Sequence, residues 1–192
     1  MIAQTVSSDR RCGFPSWRVE SLTVIKTAVD WACQENLPVL LASTTGETAE
    51  LLLDCLGGRS IRLMILTHDP RRACAKTRFN EEIKRRIQAL GYCFVEDHVK
   101  WMPSISVTRF IEKLFDFSVL HPKWRKWERD YGIGGKVCFI MAQKATKLGF
   151  LRKSESCVCI AGHRTGADTA LVIGTSDFEC ERRLICPPRS QK

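Results

Sequence analysis

Two short stretches of this chain bring together residue types that could handle an anionic ligand. The first is Ser43-Thr44-Thr45-Gly46-Glu47-Thr48, which follows the apolar run Val39-Leu40-Leu41-Ala42 and leads into a helix-forming segment. Strand, tight turn and helix start in that order present backbone N–H groups and the hydroxyls of Ser43, Thr44, Thr45 and Thr48 to one point. A helix N-terminus is electropositive and has unpaired donors, so such a turn suits a phosphate, and a glycine at 46 would let the backbone approach the anion closely. The same residues also read as an ordinary turn whose hydroxyls cap the helix. The pattern Gly-x-x-x-x-Gly-Lys-Ser/Thr of nucleoside-triphosphate loops is absent.

The second stretch is Gly162-His163-Arg164-Thr165-Gly166-Ala167-Asp168. It offers backbone donors and a cation to an anion, and a carboxylate to a hydroxyl or ring N–H. A solvent-facing hairpin loop has the same composition. Both stretches follow predicted strands, so in an open α/β sheet both could line one crevice at the carboxyl ends of the strands. The four histidines, at 68, 98, 121 and 163, have no metal-ligand spacing, and no nucleophile-and-base motif marks a catalytic centre.

The elements that must position these loops follow from periodicity. Residues 1–18 have no clear period and read as irregular. Leu22, Ile25, Val29 and Ala32 fall at helical spacing within Glu20–Glu35. Glu47–Leu56 reads as a helix stopped by Gly57-Gly58. Ile61–Thr67 is a continuous apolar run, as in a strand buried on both faces. A helix over Asn80–Leu90 and a strand over Tyr92–Glu96 follow. Further on, Val107–Phe117 has helical spacing, 118–135 reads as loop or short helix, and Lys136–Leu148 is helical. Strands are predicted over Cys157–Ala161, Thr169–Ile173 and Leu184–Cys186. Alternating helices and strands predict a doubly wound α/β domain over 19–192, and the last three strands, without long helices between them, predict antiparallel pairing at one edge.

The 192 residues suffice for one well-buried core. No apolar run reaches the roughly 18 residues of a membrane span, and the polar start lacks a signal-peptide core, which predicts a cytoplasmic protein without a membrane partner. Ten cysteines are present; Cys33, Cys55, Cys93, Cys138, Cys157, Cys159 and Cys186 occupy apolar positions of predicted elements, where reduced thiols act as small hydrophobes. Cys157 and Cys159 share one face of their strand.

Of the net charge of +9, +8 lies in residues 100–153, with twelve Lys or Arg against four acids. Within it, Lys123-Trp124-Arg125-Lys126-Trp127-Glu128-Arg129 could bind nucleic acid or another acidic partner through phosphate contacts and stacking. The favoured reading is a solvated basic surface with the tryptophans packed on the domain or on a second copy of the chain, as in a homo-oligomer.

Taken with its flanks, Ala42-Ser43-Thr44-Thr45-Gly46-Glu47-Thr48-Ala49 resembles the phosphate-holding loop of the pyruvate kinase C-terminal domain. Gly135-Lys136-Val137-Cys138, Ala161–Ile173 and Leu184-Ile185-Cys186-Pro187-Pro188-Arg189 resemble a narrower group: stand-alone pyruvate kinase C-terminal (alpha/beta) domain-like proteins, best known from archaea, uncharacterised in function but able to hold flavin mononucleotide. The resemblance covers about residues 20–96 and 132–190. It implies a three-layer α/β/α sandwich around a mixed, mostly parallel sheet with an antiparallel edge, and no pyruvate kinase activity, since the catalytic barrel is absent. It further implies a cofactor such as flavin mononucleotide, or a sugar phosphate, with Ser43, Thr44, Thr45, Gly46 and Thr48 on the phosphate and Gly162, His163, Arg164, Thr165, Gly166 and Asp168 toward the rest of the ligand. A flavin- or phospho-substrate-dependent enzyme, with His163 or Asp168 as the first candidates for a base, is the alternative. The start of the chain, with only Cys12-Gly13-Phe14-Pro15, and the basic, Trp-containing segment 97–131 depart from that family pattern.

Overall fold

A computed structural model describes residues 15–68, 78–97, 122–162 and 166–185. Within them, ten elements alternate: α1 (Ser16–Gln34), β1 (Val39–Ala42), α2 (Glu47–Leu56), β2 (Leu63–His68), α3 (Glu81–Ala89), β3 (Cys93–Asp97), α4 (Pro122–Lys147), β4 (Ser156–Ala161), β5 (Thr169–Gly174) and β6 (Glu179–Ile185). The expected helix over Val107–Phe117 and the end of the chain from Cys186 lie outside the described residues.

The six strands form one sheet in the order β3-β2-β1-β4-β5-β6. The first four are parallel, with Val39 beside both Leu63 and Val158, and Leu41 beside both Ile65 and Ile160. β5 and β6 run antiparallel to their inner neighbours, so the expected antiparallel edge is present. Alternate residues of each strand feed two separate cores. Val39, Leu41, Ile65, Val158 and Ile160 pack under α1, α2 and α3. Leu40, Met64, Cys157, Cys159 and Leu171 pack under α4. The result is a three-layer α/β/α sandwich.

Because crossovers between parallel strands are right-handed, a chain that first grows one way from β1 and then adds a strand on its other side must put its helices on opposite faces. That is the arrangement found. The sheet therefore reverses its strand order between β1 and β4, with every helix that precedes a parallel strand starting at the same edge of the sheet.

Several boundaries differ from the sequence reading. α1 begins at Ser16, although residues up to 18 read as irregular; its first turn is held by tertiary contact, with Trp17 against the core and Ser21 buried. Of the loop and short helix left open for 118–135, residues 122–131 are helical, because Trp124, Trp127 and Tyr131 lie on one helix face and pack on the second core. Gly132, at φ 74°, breaks the helix before it resumes through Lys147. β6 extends over Glu179–Ile185 rather than Leu184–Cys186. Its polar residues hide the strand from a hydrophobicity reading, as suits an exposed edge, and its two register irregularities against β5 blunt that edge against further pairing. Cys33 is exposed, contrary to its expected apolar setting, whereas Cys138, Cys157 and Cys159 are buried. The sulfurs of Cys157 and Cys159 lie 3.6 Å apart on the α4 face, as their spacing requires.

Candidate functional site

The β1–α2 turn and the β4–β5 connection leave adjacent parallel strands, since Leu41 pairs with Ile160. Ser43 and Gly162 therefore emerge side by side at the reversal point of the sheet, with a strand spacing of about 4.8 Å. In open α/β sheets this crevice is where ligands bind. The starts of α1, α2 and α3 and the restart of α4 after Gly132 all lie at this carboxyl edge, and their aligned dipoles make it electropositive.

The turn itself is pinned from one side. The Ser43 N–H donates to the Leu66 carbonyl at 3.0 Å, the Thr67 hydroxyl to the Thr44 carbonyl at 3.2 Å, and the Asn80 N–H to the Thr45 carbonyl at 2.9 Å. In a trans peptide the carbonyl and the following N–H point in opposite directions, and the described chain has no cis bond. With the Thr44 and Thr45 carbonyls turned to β2 and the start of α3, the N–H groups of Thr45 and Gly46 point away from those partners.

Two of the hydroxyls turn to the amides at the start of α2. Ser43 is buried and its Oγ accepts from the Ala49 N–H at 3.4 Å; Thr45 Oγ1 accepts from the Glu47 N–H at 3.5 Å; Thr48 is buried. Both bonds are at the long limit, so the first-turn amides of α2 are only weakly capped. Gly46 is the residue before the helix, at φ 101°, and a side chain there would meet Ile83 Cδ1 at 3.0 Å and Phe79 Cζ at 3.3 Å. The glycine is thus required by backbone conformation and by the close packing of Phe79 and Ile83. Glu47 is exposed in the first turn of α2, where its carboxylate already complements the helix dipole. Arg18 of α1 reaches Glu50 at 3.9 Å, bringing a cation to the same end of α2.

Of the second loop, His163, Arg164 and Thr165 lie outside the described residues. Gly162 faces the Gly166 carbonyl and the Ala167 Cα, so a side chain at 162 would collide with the loop's own return. Gly166, at φ 75°, abuts Ser21 Oγ and Trp17 of α1. The Ala167 N–H donates to Ser21 Oγ at 2.8 Å, and the Asp168 N–H to the Ala161 carbonyl at 3.1 Å. Asp168 Oδ1 accepts from the Thr169 hydroxyl at 2.6 Å and stands against Gly134, where α4 restarts. A carboxylate at a helix start is favourable, so Asp168 ties the loop to α4.

Sequence reasoning passed over Ser21, Thr67 and Asn80, which clamp the two loops from α1, β2 and the start of α3. The Asn80 cap was legible: its Oδ1 accepts from the Glu82 N–H at 2.8 Å, a standard helix start. Ser21 left no signal, being a polar residue within an otherwise apolar helix face.

Fold and rim together define a doubly wound three-layer α/β domain with an antiparallel edge and two glycine-containing loops leaving adjacent strands at its carboxyl end. No protein-family model matches the chain.

Proposed function

We propose that this domain holds the phosphate end of a small ligand against the β1–α2 turn, with the remainder of the ligand along the crevice toward Gly162–Asp168. Flavin mononucleotide and sugar phosphates are the ligand classes, as in the pyruvate kinase C-terminal domain-like proteins that the chain resembles. The observation that supports this reading is the pinned turn: its carbonyls are taken by Thr67 and Asn80, so the Thr45 and Gly46 N–H groups point away from β2 and the start of α3. Such donors, beside a weakly capped helix start, suit a tetrahedral oxyanion. The residues fit the phosphate of flavin mononucleotide through Thr45, Gly46 and the first turn of α2. The glycines of the second loop serve internal packing. When bound, a flavin would supply hydride or single-electron chemistry.

Glu47 makes the test specific. Its carboxylate repels an anion at the start of α2, so Glu47→Gln should tighten binding of flavin mononucleotide or of a sugar phosphate by about two- to fivefold, the range of a helix-end charge interaction. Thr45→Ala should weaken it. Thermal shift and titration calorimetry read both. A chain that is stabilised by neither ligand class, or whose affinity ignores both substitutions, rules the reading out; saturation at a hundredfold excess over Kd is worth about 2.7 kcal/mol and is readily seen.

A further inference from the structure

The first half of α4 carries a row of exposed cations, with Ile133 as its one exposed large hydrophobic residue. Lys123, Arg125, Lys126 and Arg129 are exposed along it, while Trp127 is buried and Trp124 and Tyr131 pack on the core beneath α4. Of the two acids in this stretch, Glu128 is engaged by Lys136 at 2.6 Å and Asp130 by Arg129 at 3.2 Å. Residues 123–136 carry a net +3. Arg183 of β6 extends the patch, donating to the Asp130 carbonyl at 3.2 Å and lying over the Tyr131 ring.

The orientation of the aromatic rings selects among acidic partners. Protein interfaces draw their affinity from aromatic and aliphatic anchors in pockets, and interfacial membrane helices bury an apolar face in lipid. Here Trp127, which could serve either purpose, is buried, and Trp124 is partly buried against the same core. Single-stranded nucleic acid is held by stacking bases on exposed rings, and the same burial removes that platform. A duplex backbone, in contrast, is bound by point charges on a convex surface through release of condensed counterions, with no apolar contribution needed.

We infer that the exposed face of Lys123–Arg129, with Arg183, binds the phosphate backbone of double-stranded nucleic acid without reading its bases. The inference uses none of the Thr45 and Gly46 donors, so it and the phosphate-ligand reading fail or succeed separately.

Fluorescence anisotropy of the full chain with a labelled random-sequence DNA duplex, across a salt series, tests it. Each phosphate contact contributes about 0.9 to the slope of log K against log salt. Arg125→Gln/Lys126→Gln should reduce that slope by about 1.8 and weaken binding, with an unchanged circular dichroism spectrum. The control Lys26→Gln/Arg85→Gln, which removes two exposed cations from α1 and α3, should leave the slope within one contact of the parent. Equal losses in both variants would mean that net charge alone acts, and would overturn the assignment of this face. Absence of duplex binding at low salt, tighter binding of single-stranded RNA than of duplex, or sedimentation with phosphatidylserine vesicles in place of duplex binding would each overturn it as well.

Discussion

Ser21 of α1 accepts a hydrogen bond from the Ala167 N–H at 2.8 Å across 146 residues of sequence, and both groups are buried. This one bond fixes the return of the β4–β5 connection against α1, and with it the position of Gly166 and Asp168 at the carboxyl edge. Ser21→Ala would strand a buried N–H. It should lower the unfolding free energy by about 1–3 kcal/mol, the cost of an unsatisfied buried donor. Thr23→Ala, two residues on and exposed, should change it by less than about 0.5 kcal/mol. Urea denaturation of the two variants measures the difference; equal effects would refute the role given to Ser21.

The glycines of the fold separate into those that need only a left-handed backbone and those that also need space. Gly57 closes α2 at φ 53° with nothing near a side chain, whereas Gly166 at φ 75° has Trp17 Cε3 at 3.0 Å and Ser21 Oγ against the same position. Gly57→Ala should cost about 1 kcal/mol, the left-handed penalty alone. Gly166→Ala adds overpacking and should cost about 2–4 kcal/mol. Thermal unfolding of the pair orders them, and the reverse order would contradict the packing at Gly166.

At the opposite edge of the sheet, Glu155 joins the approach to β2 with the start of β4. Burial raises the pKa of its carboxyl, but the Arg152 N–H at 2.8 Å and the Arg62 guanidinium at 2.5 Å outweigh burial and hold it below the usual carboxylate range. A carboxyl with a lowered folded-state pKa contributes stability that is fully present above its unfolded pKa and is lost as pH falls through the folded one. Glu155→Gln should therefore cost about 1 kcal/mol at neutral pH, a modest value because Arg62 is half exposed. The difference from the parent should vanish toward acid pH. Stability curves at pH values spanning the carboxylate range would show the two lines converging; parallel lines would remove Glu155 from the acid response.

Thiol accessibility follows the two cores. Burial, with Cys157 as neighbour, pushes the Cys159 thiol well above its ordinary pKa, and Cys157 and Cys138 of α4 are buried in the same core. Since the thiolate is the reactive species, alkylation of the native protein followed by peptide mass mapping should label Cys33, which is exposed. It should spare Cys138, Cys157 and Cys159 until denaturant is added. Labelling of Cys159 at the rate of Cys33 under native conditions would contradict this burial.

Local signals carried most of the elements. Val39–Ala42 and Glu47–Leu56 are bounded as read, because a continuous apolar run, a glycine before the helix and the pair Gly57-Gly58 are all marks that act within a few residues. The shared face of Cys157 and Cys159 follows from the two-residue period of a strand. The antiparallel edge was legible in the shortness of the connections after β4.

Tertiary structure alone decided what those loops are. Leu41 and Ile160 are distant in sequence, and only the pairing of β1 with β4 sets the Ser43 turn beside Gly162. The glycines of both loops also answer to neighbours: Gly46 lies against Phe79 and Ile83, Gly162 against its own loop and Gly166 against α1. Asp168 turns to Thr169 and Gly134 for the same reason. The length of β6 was likewise invisible, since its charged residues face solvent at an edge, and the choice of helix over loop at residues 122–131 stayed open because it depends on burying Trp127 against Phe139. Periodicity reports which residues prefer burial; which partners bury them is set by contacts between segments far apart in the chain. The sequence by itself thus determined the order and kind of the elements and the electropositive rim they build, while tertiary packing determined which groups on that rim remain directed outward.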